Sequence, residues 1–491
     1  MPLTSTSRAV PIPTPKQDIQ DHIVGQGRLT PVIFRLAGPV VLMMYLQGAY
    51  NIIDTIWVGQ LLGKLALAGI ATGGFVMWAI FGLTSLVTVG VMATLARRIG
   101  ENETGRAEQI ALKGLWYAFV VSIVVGGAIW FLAPSLFALM GSDPAVRALG
   151  EKYLRVILCG CPFIFLSFTV QRIFQSVGDT VTPMWLMLLS LLLNVVLDPV
   201  LMLGLLGFPR MGVAGAALAT VIARFLMTLL GILLLLRKKR IGTRRFDYPL
   251  LRLFRIALPT ITEGSLRLAR GTPFKWDWAL FGSVLRIGLP NAVSQTLFPV
   301  VYMIITRLPA AYGPKYIAAL RIGHTVEGVS FFLALGFSMA AATCVGQNLG
   351  AKKPERAAWS GWIAAGIVSV ILSIFSVLFF VFPSKIGAVF SPDQGTIQAS
   401  ATYLRILALS QVFMGIEIVL VGAFSGAGDT VPPLAYLAPL NLARIPLAYL
   451  LAGTAGFGIN GVWWAISGTS ILKGLVIAWL FYRGGWKRKM V

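Results

Sequence analysis

The stretches QSVGDTVTPM, Gln175–Met184, and SGAGDTVPPL, Ser425–Leu434, interrupt an otherwise apolar chain with one polar pattern, and their aspartates, Asp179 and Asp429, lie 250 positions apart. In each, a Gly lets the chain leave a helix, an Asp can accept bonds from free backbone N–H groups, and Pro183 or Pro433 suits a first helical turn. Both read as a turn that closes one helix and opens the next. Slid by about the same spacing, the chain matches itself elsewhere. FRLAGP ending at Pro39 pairs with LRIGLP ending at Pro290, and ARRIGENETGRA from Ala96 with GQNLGAKKPERA from Gly346. KYLR ending at Arg155 pairs with TYLR ending at Arg405, LLNVVLDP ending at Pro199 with PLNLARIP ending at Pro446, and MGVAGAALA from Met211 with FGINGVWWA from Phe457. Several of these matches fall in loops or helix ends, where shared apolarity does not explain them. The chain is two copies of one unit.

Composition says what surrounds those copies. Of 491 residues 57% are hydrophobic and 12% charged, and the mean hydropathy is +0.81; soluble domains run at about 45–50% apolar and about 25% charged. Apolar stretches of bilayer-spanning length read near 32–58, 66–95, 111–132, 153–176, 183–204, 212–236, 283–307, 317–345, 358–382, 402–425, 433–453 and 459–482. The expected fold is all-α and integral to the membrane: twelve transmembrane helices in two pseudo-symmetric six-helix bundles. Six crossings return the chain to its starting side, so the bundles form a parallel repeat about an axis along the membrane normal. The expected segments are an N-terminal tail 1–30, an N-lobe 31–236, a basic interfacial linker 237–282, a C-lobe 283–482 and a C-terminal tail 483–491. The first 27 residues hold Pro11, Pro13 and Pro15 but no apolar core, so they do not read as a secretory signal.

Lys and Arg set the orientation. The side of the termini carries Arg97, Arg98, Arg106, Lys352, Lys353, Arg356 and eleven basic residues of segment 237–275. The opposite side shows Lys64, Arg147, Lys152, Arg210, Lys315 and Lys385. The positive-inside bias puts both termini and the linker in the cytoplasm of a multi-pass protein of the plasma (inner) membrane. The same clusters account for most of the net charge of +23, so the lipid bilayer with its anionic headgroups is the expected partner rather than nucleic acid. Cys159, Cys161 and Cys344 fall inside apolar spans and read as small buried hydrophobes. Two histidines, His22 and His324, do not suffice for a His-built metal site, and no G-x-x-x-x-G-K-[ST] loop is present. No enzyme activity and no cofactor are expected.

Ionisable residues inside the spans carry the functional signal, since each costs about 2.5–3.5 kcal/mol at mid-helix on insertion scales and calls for a polar interior, a partner or a proton. Gln47, Tyr50, Asn51 and Asp54 share one face of the first helix. Asn194 and Asp198 are one turn apart on the fifth, and the small-residue run GVAGAALAT brings Thr220 of the sixth within reach of them. The repeat is an internal control: Tyr50 aligns with Val301, Asp54 with Ile305, Asp198 with Ile445 and Thr220 with Ile466, while Asn194 keeps its polarity as Asn441. A cluster kept in one copy and erased in the other points to function: a buried acidic pocket that takes H+, or Na+ on the same oxygens. In the second half, His324 and Glu327 sit one turn apart on the eighth helix and Glu417 lies in the tenth, either Glu able to pair with Arg444 or Arg321 or to line a cavity. Arg172, Arg224 and Lys473 read as side chains near an interface, paired or snorkelling.

These residues carry a resemblance. The paired GDT-x-x-P stretches, NIIDTIWVG with Asp54, LNVVLDP with Asp198, GAALAT with Thr220 and VGQNLGA in the second half are similar to the multidrug and toxic compound extrusion (MATE) family, over about residues 30–482. The resemblance is to the prokaryotic DinF-like branch. It implies export of small organic, often cationic compounds from a cavity between two rocking lobes, driven by inward H+ or Na+; the chain is expected to work as a monomer. The resemblance also implies that Asp54, Asp198, Asn194 and Thr220, with Tyr50 nearby, form the coupling site; Gln47, Asn51, Glu327, Glu417 and Met414 are the residues expected along the substrate cavity. Met414 stands about where some members carry an acid, and the acid that other branches place in the seventh helix is missing. A flippase for lipid-linked oligosaccharide or lipid, with Arg444 and Arg307 toward a pyrophosphate, is the alternative within the superfamily.

Overall fold

The computed structural model describes residues 22–25, 27–139, 143–236 and 275–489. The N-terminal tail up to residue 21 and linker residues 237–274 lie outside the described residues. In the first half the helices are α1 (Leu29–Leu62), α2 (Lys64–Gly100), α3 (Thr104–Leu139), α4 (Pro144–Cys159), α5 (Cys161–Ser176), α6 (Val181–Leu203) and α7 (Val213–Leu236). The second half has α8 (Trp278–Ile305), α9 (Arg307–Tyr312), α10 (Pro314–Gly350), α11 (Pro354–Val381), α12 (Pro383–Phe390), α13 (Gln394–Ala408), α14 (Gln411–Ala427), α15 (Val431–Tyr449) and α16 (Ile459–Arg483). Among the described residues ten helical stretches are long and apolar enough to cross a membrane, and the bent pairs α4–α5 and α13–α14 bring the number to twelve.

Those bent pairs are the fourth and tenth expected spans. They fold by 55° at Gly160 and by 54° at Leu409–Ser410, equivalent points of the repeat. A Cβ on Gly160 would stand 2.7 Å from Val221 Cγ1 of α7, so the first bend follows from a close helix approach that apolarity alone does not signal. The opening motif does what its residues suggest. Gly178 and Gly428 take φ of 87° and 75°, in the left-handed region. Asp179 Oδ1 accepts from the Val181 and Thr182 amides at 3.1 and 2.9 Å, and Thr182 Oγ1 donates to its Oδ2 at 2.6 Å. Asp429 differs from this expectation, because Pro432 replaces Thr182 and removes both donors; its Oδ1 lies 3.5 Å from Lys489 Nζ.

The two halves exchange the starts of their leading helices. Val284, with Leu280 and Phe281, packs into the apolar core of the first half, while Leu29, Ile33, Leu36 and Ala37 of α1 pack into that of the second. The exchange makes a tight seam at the end of the molecule that holds the termini. Gly90 of α2 meets the Val284 backbone of α8, and Gly288 of α8 meets the Leu86 and Ser85 carbonyls of α2. Gly100 and Gly350 likewise meet the Gln347 and Arg97 carbonyls. Gln347 Nε2 donates to the Ser176 carbonyl at 2.7 Å, and Thr343 Oγ1 to that of Gln175 at 3.0 Å. Arg356 donates to the carbonyls of His22, Ile23 and Gly27. Toward the other end, Tyr45 still donates to the Val329 carbonyl at 2.8 Å, but beyond it Ile52 and Ile56 are exposed. Cys161 and Cys344 are buried as expected, whereas Cys159 is exposed.

Candidate functional site

In the first half, α1, α6 and α7 bring Tyr50, Asp54, Asn194, Asp198 and Thr220 together. Asn194 Nδ2 donates to Asp198 Oδ1 at 3.1 Å, the bond expected of an i, i+4 pair on one helix face. The Asp54 carboxyl abuts Asp198, Asn194 and Thr220. Asn194 and Asp198 are wholly buried, and Tyr50 and Thr220 nearly so. Tyr50 Oη, Asp54 Oδ1, Asn194 Oδ1, Asp198 Oδ2 and Thr220 Oγ1 are all buried without a hydrogen-bond partner of regular geometry. Five such oxygens in one place run against the rule that buried polar atoms are satisfied. They are what a bound proton or cation would pair with. Gln47 lies one turn before Tyr50, and Asn51 is exposed.

Two groups at this site escape the sequence reading. Arg224 of α7, read as a paired or snorkelling side chain, is 1% exposed. Its Nη2 donates to Gln47 Oε1 at 2.6 Å, and its guanidinium stands over the Tyr50 ring at 5.3 Å. The i, i+4 spacing from Thr220 is the signal that would have placed it here. Tyr153 of α4 is buried and lies close enough to act electrostatically on Tyr50, Asp54 and Asp198.

The second half assembles a different set. Glu417 pairs with Lys473 at 2.9 Å, not with Arg444 or Arg321, and Lys473 is 4% exposed rather than snorkelling. Gln411 Nε2 donates to Glu327 Oε1 at 3.3 Å, while Ser330 Oγ donates to Gln411 Oε1 at 2.6 Å. Arg444 donates to Thr469 Oγ1, Tyr302 Oη and Ser470 Oγ at 2.8, 3.0 and 3.0 Å. His324 stands edge-on to Tyr302, centroids 4.6 Å apart. Met414, expected along the cavity, packs into the apolar core with Val368 and Leu372. Arg172, expected near an interface or paired, is bonded to Gln175 Oε1 at 3.0 Å and to Met339 Sδ across the lobes. No group of His, Cys, Asp and Glu fit to hold a metal ion occurs among the described residues.

Known proteins share this architecture. A probable multidrug resistance protein NorM of Thermotoga maritima is 27% identical over 94% of this chain and 93% of its own length. A protein of the same description from Pseudomonas aeruginosa is 29% identical over 89% and 86%, and an FAD transporter of Shewanella oneidensis is 26% identical over 88% and 90%. The fold matches a multidrug resistance MATE family transporter of the MOP superfamily solved in an outward-facing conformation, with TM-score 0.80, 23% identity and coverage of 98% and 100%. It also matches a MATE protein solved in complex with MaD3S, with TM-score 0.81, 23% identity and coverage of 96% and 99%. The MatE family model fits residues 39–200 and 290–450, one stretch in each half of the repeat, and fits the family as a whole rather than one branch. The chain belongs to the MatE family of transporters.

Proposed function

We propose that this chain is a secondary active exporter of small organic, often cationic compounds, working as a monomer and without a cofactor in the plasma membrane. Its termini and linker face the cytoplasm, and inward H+ or Na+ drives export. The observation that carries this reading is the group of five buried oxygens on Tyr50, Asp54, Asn194, Asp198 and Thr220 that lie against one another without a hydrogen bond of regular geometry. Two facing carboxylates in a dry site do not both ionise without a proton or a cation between them. The ion supplies that partner from the outside, and loss of it on the inside favours the reverse movement. The glycine seam holds the lobes together on the side of the termini, so the exchange of ion for substrate occurs on the far side and requires the seam to open for the next step. Glu327, half-buried on α10 and held by Gln411, offers a carboxylate to cationic substrates. The NorM relatives' description as probable multidrug resistance proteins supports drug-like substrates. The flippase reading loses its main cation, because Arg444 is 1% exposed and its donors are engaged by Thr469, Tyr302 and Ser470.

The test is flux in proteoliposomes under an imposed pH or Na+ gradient, with a broad panel of cationic dyes and drugs. Gradient-driven flux that Asp54→Asn and Asp198→Asn abolish is expected. Absence of flux for the whole panel, together with no effect of either substitution in drug-challenged cells, would overturn the reading.

A further inference from the structure

The coupling site contains a permanent cation of its own. Arg224 enters it from α7, four residues beyond Thr220, and is held on every side: by Gln47 Oε1 at 2.6 Å, by Met187 Sδ at 3.8 Å, and between the Tyr50 and Phe168 rings at 5.3 and 5.6 Å. No carboxylate makes a direct ion pair with it among the described residues, and it acts across the site on Asp54. A guanidinium keeps its proton at any physiological pH.

We propose that Arg224 is an ion-selectivity residue, a fixed cation beside Asp54 and Asp198 that keeps Na+ and other alkali-metal ions out of the site and leaves it to protons. The inference rests on the coupling-site reading above. Two carboxylates and one guanidinium together lack one positive charge. A proton supplies it by joining a carboxyl, which is then neutral and donates a hydrogen bond to the facing carboxylate. The guanidinium opposes any added positive charge, but a proton needs one carboxyl oxygen, whereas Na+ needs several oxygens around it. A like unit charge about 6–12 Å away, at an effective dielectric constant of about 20, weakens cation binding by about one to two orders of magnitude. Gln47 Oε1, a neutral oxygen that would otherwise help surround Na+, already accepts from Arg224. The other titratable groups facing the site, Tyr50 and Tyr153, are phenols and add no countercharge.

The test is equilibrium binding of radioactive Na+ to the purified full-length protein, with substrate flux in liposomes as a second readout. The wild type is expected to show no saturable Na+ binding up to about 100 mM and equal pH-driven flux in Na+ and choline buffers. Arg224→Gln and Arg224→Met are expected to bind Na+ at least tenfold more tightly, and Arg224→Lys to exclude it as the wild type does. Saturable millimolar Na+ binding by the wild type overturns the proposal. So does an unchanged Na+ affinity in a folded Arg224→Gln protein. Should neither neutral variant fold, the wild-type binding and the Arg224→Lys rescue decide. Asp54→Asn separates the two readings: if it leaves gradient-driven flux intact, the coupling site itself is misassigned. If it abolishes flux while Arg224→Gln leaves Na+ affinity unmoved, only the selectivity role falls.

Discussion

Substituting Gly288 by Ala should pry the lobes apart at the end that holds the termini. The added Cβ would stand 2.6 Å from the Ser85 carbonyl oxygen and closer still to that of Leu86, both backbone atoms of α2. An ordinary contact begins near 3.4 Å, and neither carbonyl can rotate away without breaking helix bonds. The helices must therefore separate by about an ångström, and overpacking of this kind costs about 1–3 kcal/mol. A penalty of about 2 kcal/mol is a factor of about 30, which takes a 99:1 preference for the closed seam to about 3:1. The Gly90 contact with Val284, 2.6 Å from its Cα, lies one turn away on the same crossing and predicts a similar effect. Spin-label distances across the seam, one label on α3 and one on α11, read the populations directly. Gly366→Ala on α11, where a Cβ meets nothing within 4 Å, is the control. A Gly288→Ala distance distribution indistinguishable from that of the control would refute the claim that this seam holds the lobes shut.

Asp179→Ala removes three bonds at the start of α6 and should cost about 1–2 kcal/mol; a thermal unfolding scan should drop while substrate affinity persists, and the reverse pattern would make Asp179 a binding residue. Lys473→Met leaves Glu417 buried without its cation and should cost about 3–5 kcal/mol, most of which Lys473→Met combined with Glu417→Gln restores; thermal midpoints of the three proteins check this. At the entrance of α8, the Leu280 amide and then Lys113 hold the Asp277 carboxyl below the usual range. A depressed carboxyl stabilises the fold above its unfolded value of about 3.9 and loses that contribution as pH falls through this region. The wild type should therefore lose more thermal stability than Asp277→Asn between pH 5 and 3, and parallel curves would contradict the assignment.

Much of this architecture is legible in the sequence because it is written twice. The matched GDT turns fix the register of the repeat, and the register isolates Tyr50, Asp54, Asp198 and Thr220 as positions where the halves differ. Apolar length finds the spans but not the bends at Gly160 and Leu409–Ser410, which arise where one backbone leans on another. Whether Arg224 and Lys473 pair or snorkel is hidden for a related reason. A basic residue in an apolar helix reads as snorkelling, and only the partners on other helices, Gln47 and Tyr50 for one and Glu417 for the other, reveal that it turns inward. The crossing of α1 and α8 into opposite lobes depends on glycines whose spacing is ordinary in any membrane helix.

The central claim is that Asp54 and Asp198 hold the coupling ion and release it when substrate binds. Adding saturating substrate to purified protein in weakly buffered detergent solution, with a pH indicator, measures that exchange without a membrane or a gradient. About one proton per molecule is expected from the wild type, and none from Asp54→Asn or Asp198→Asn proteins that still bind substrate. Undiminished proton release from both variants, or tight substrate binding by the wild type with no ion released, would contradict it.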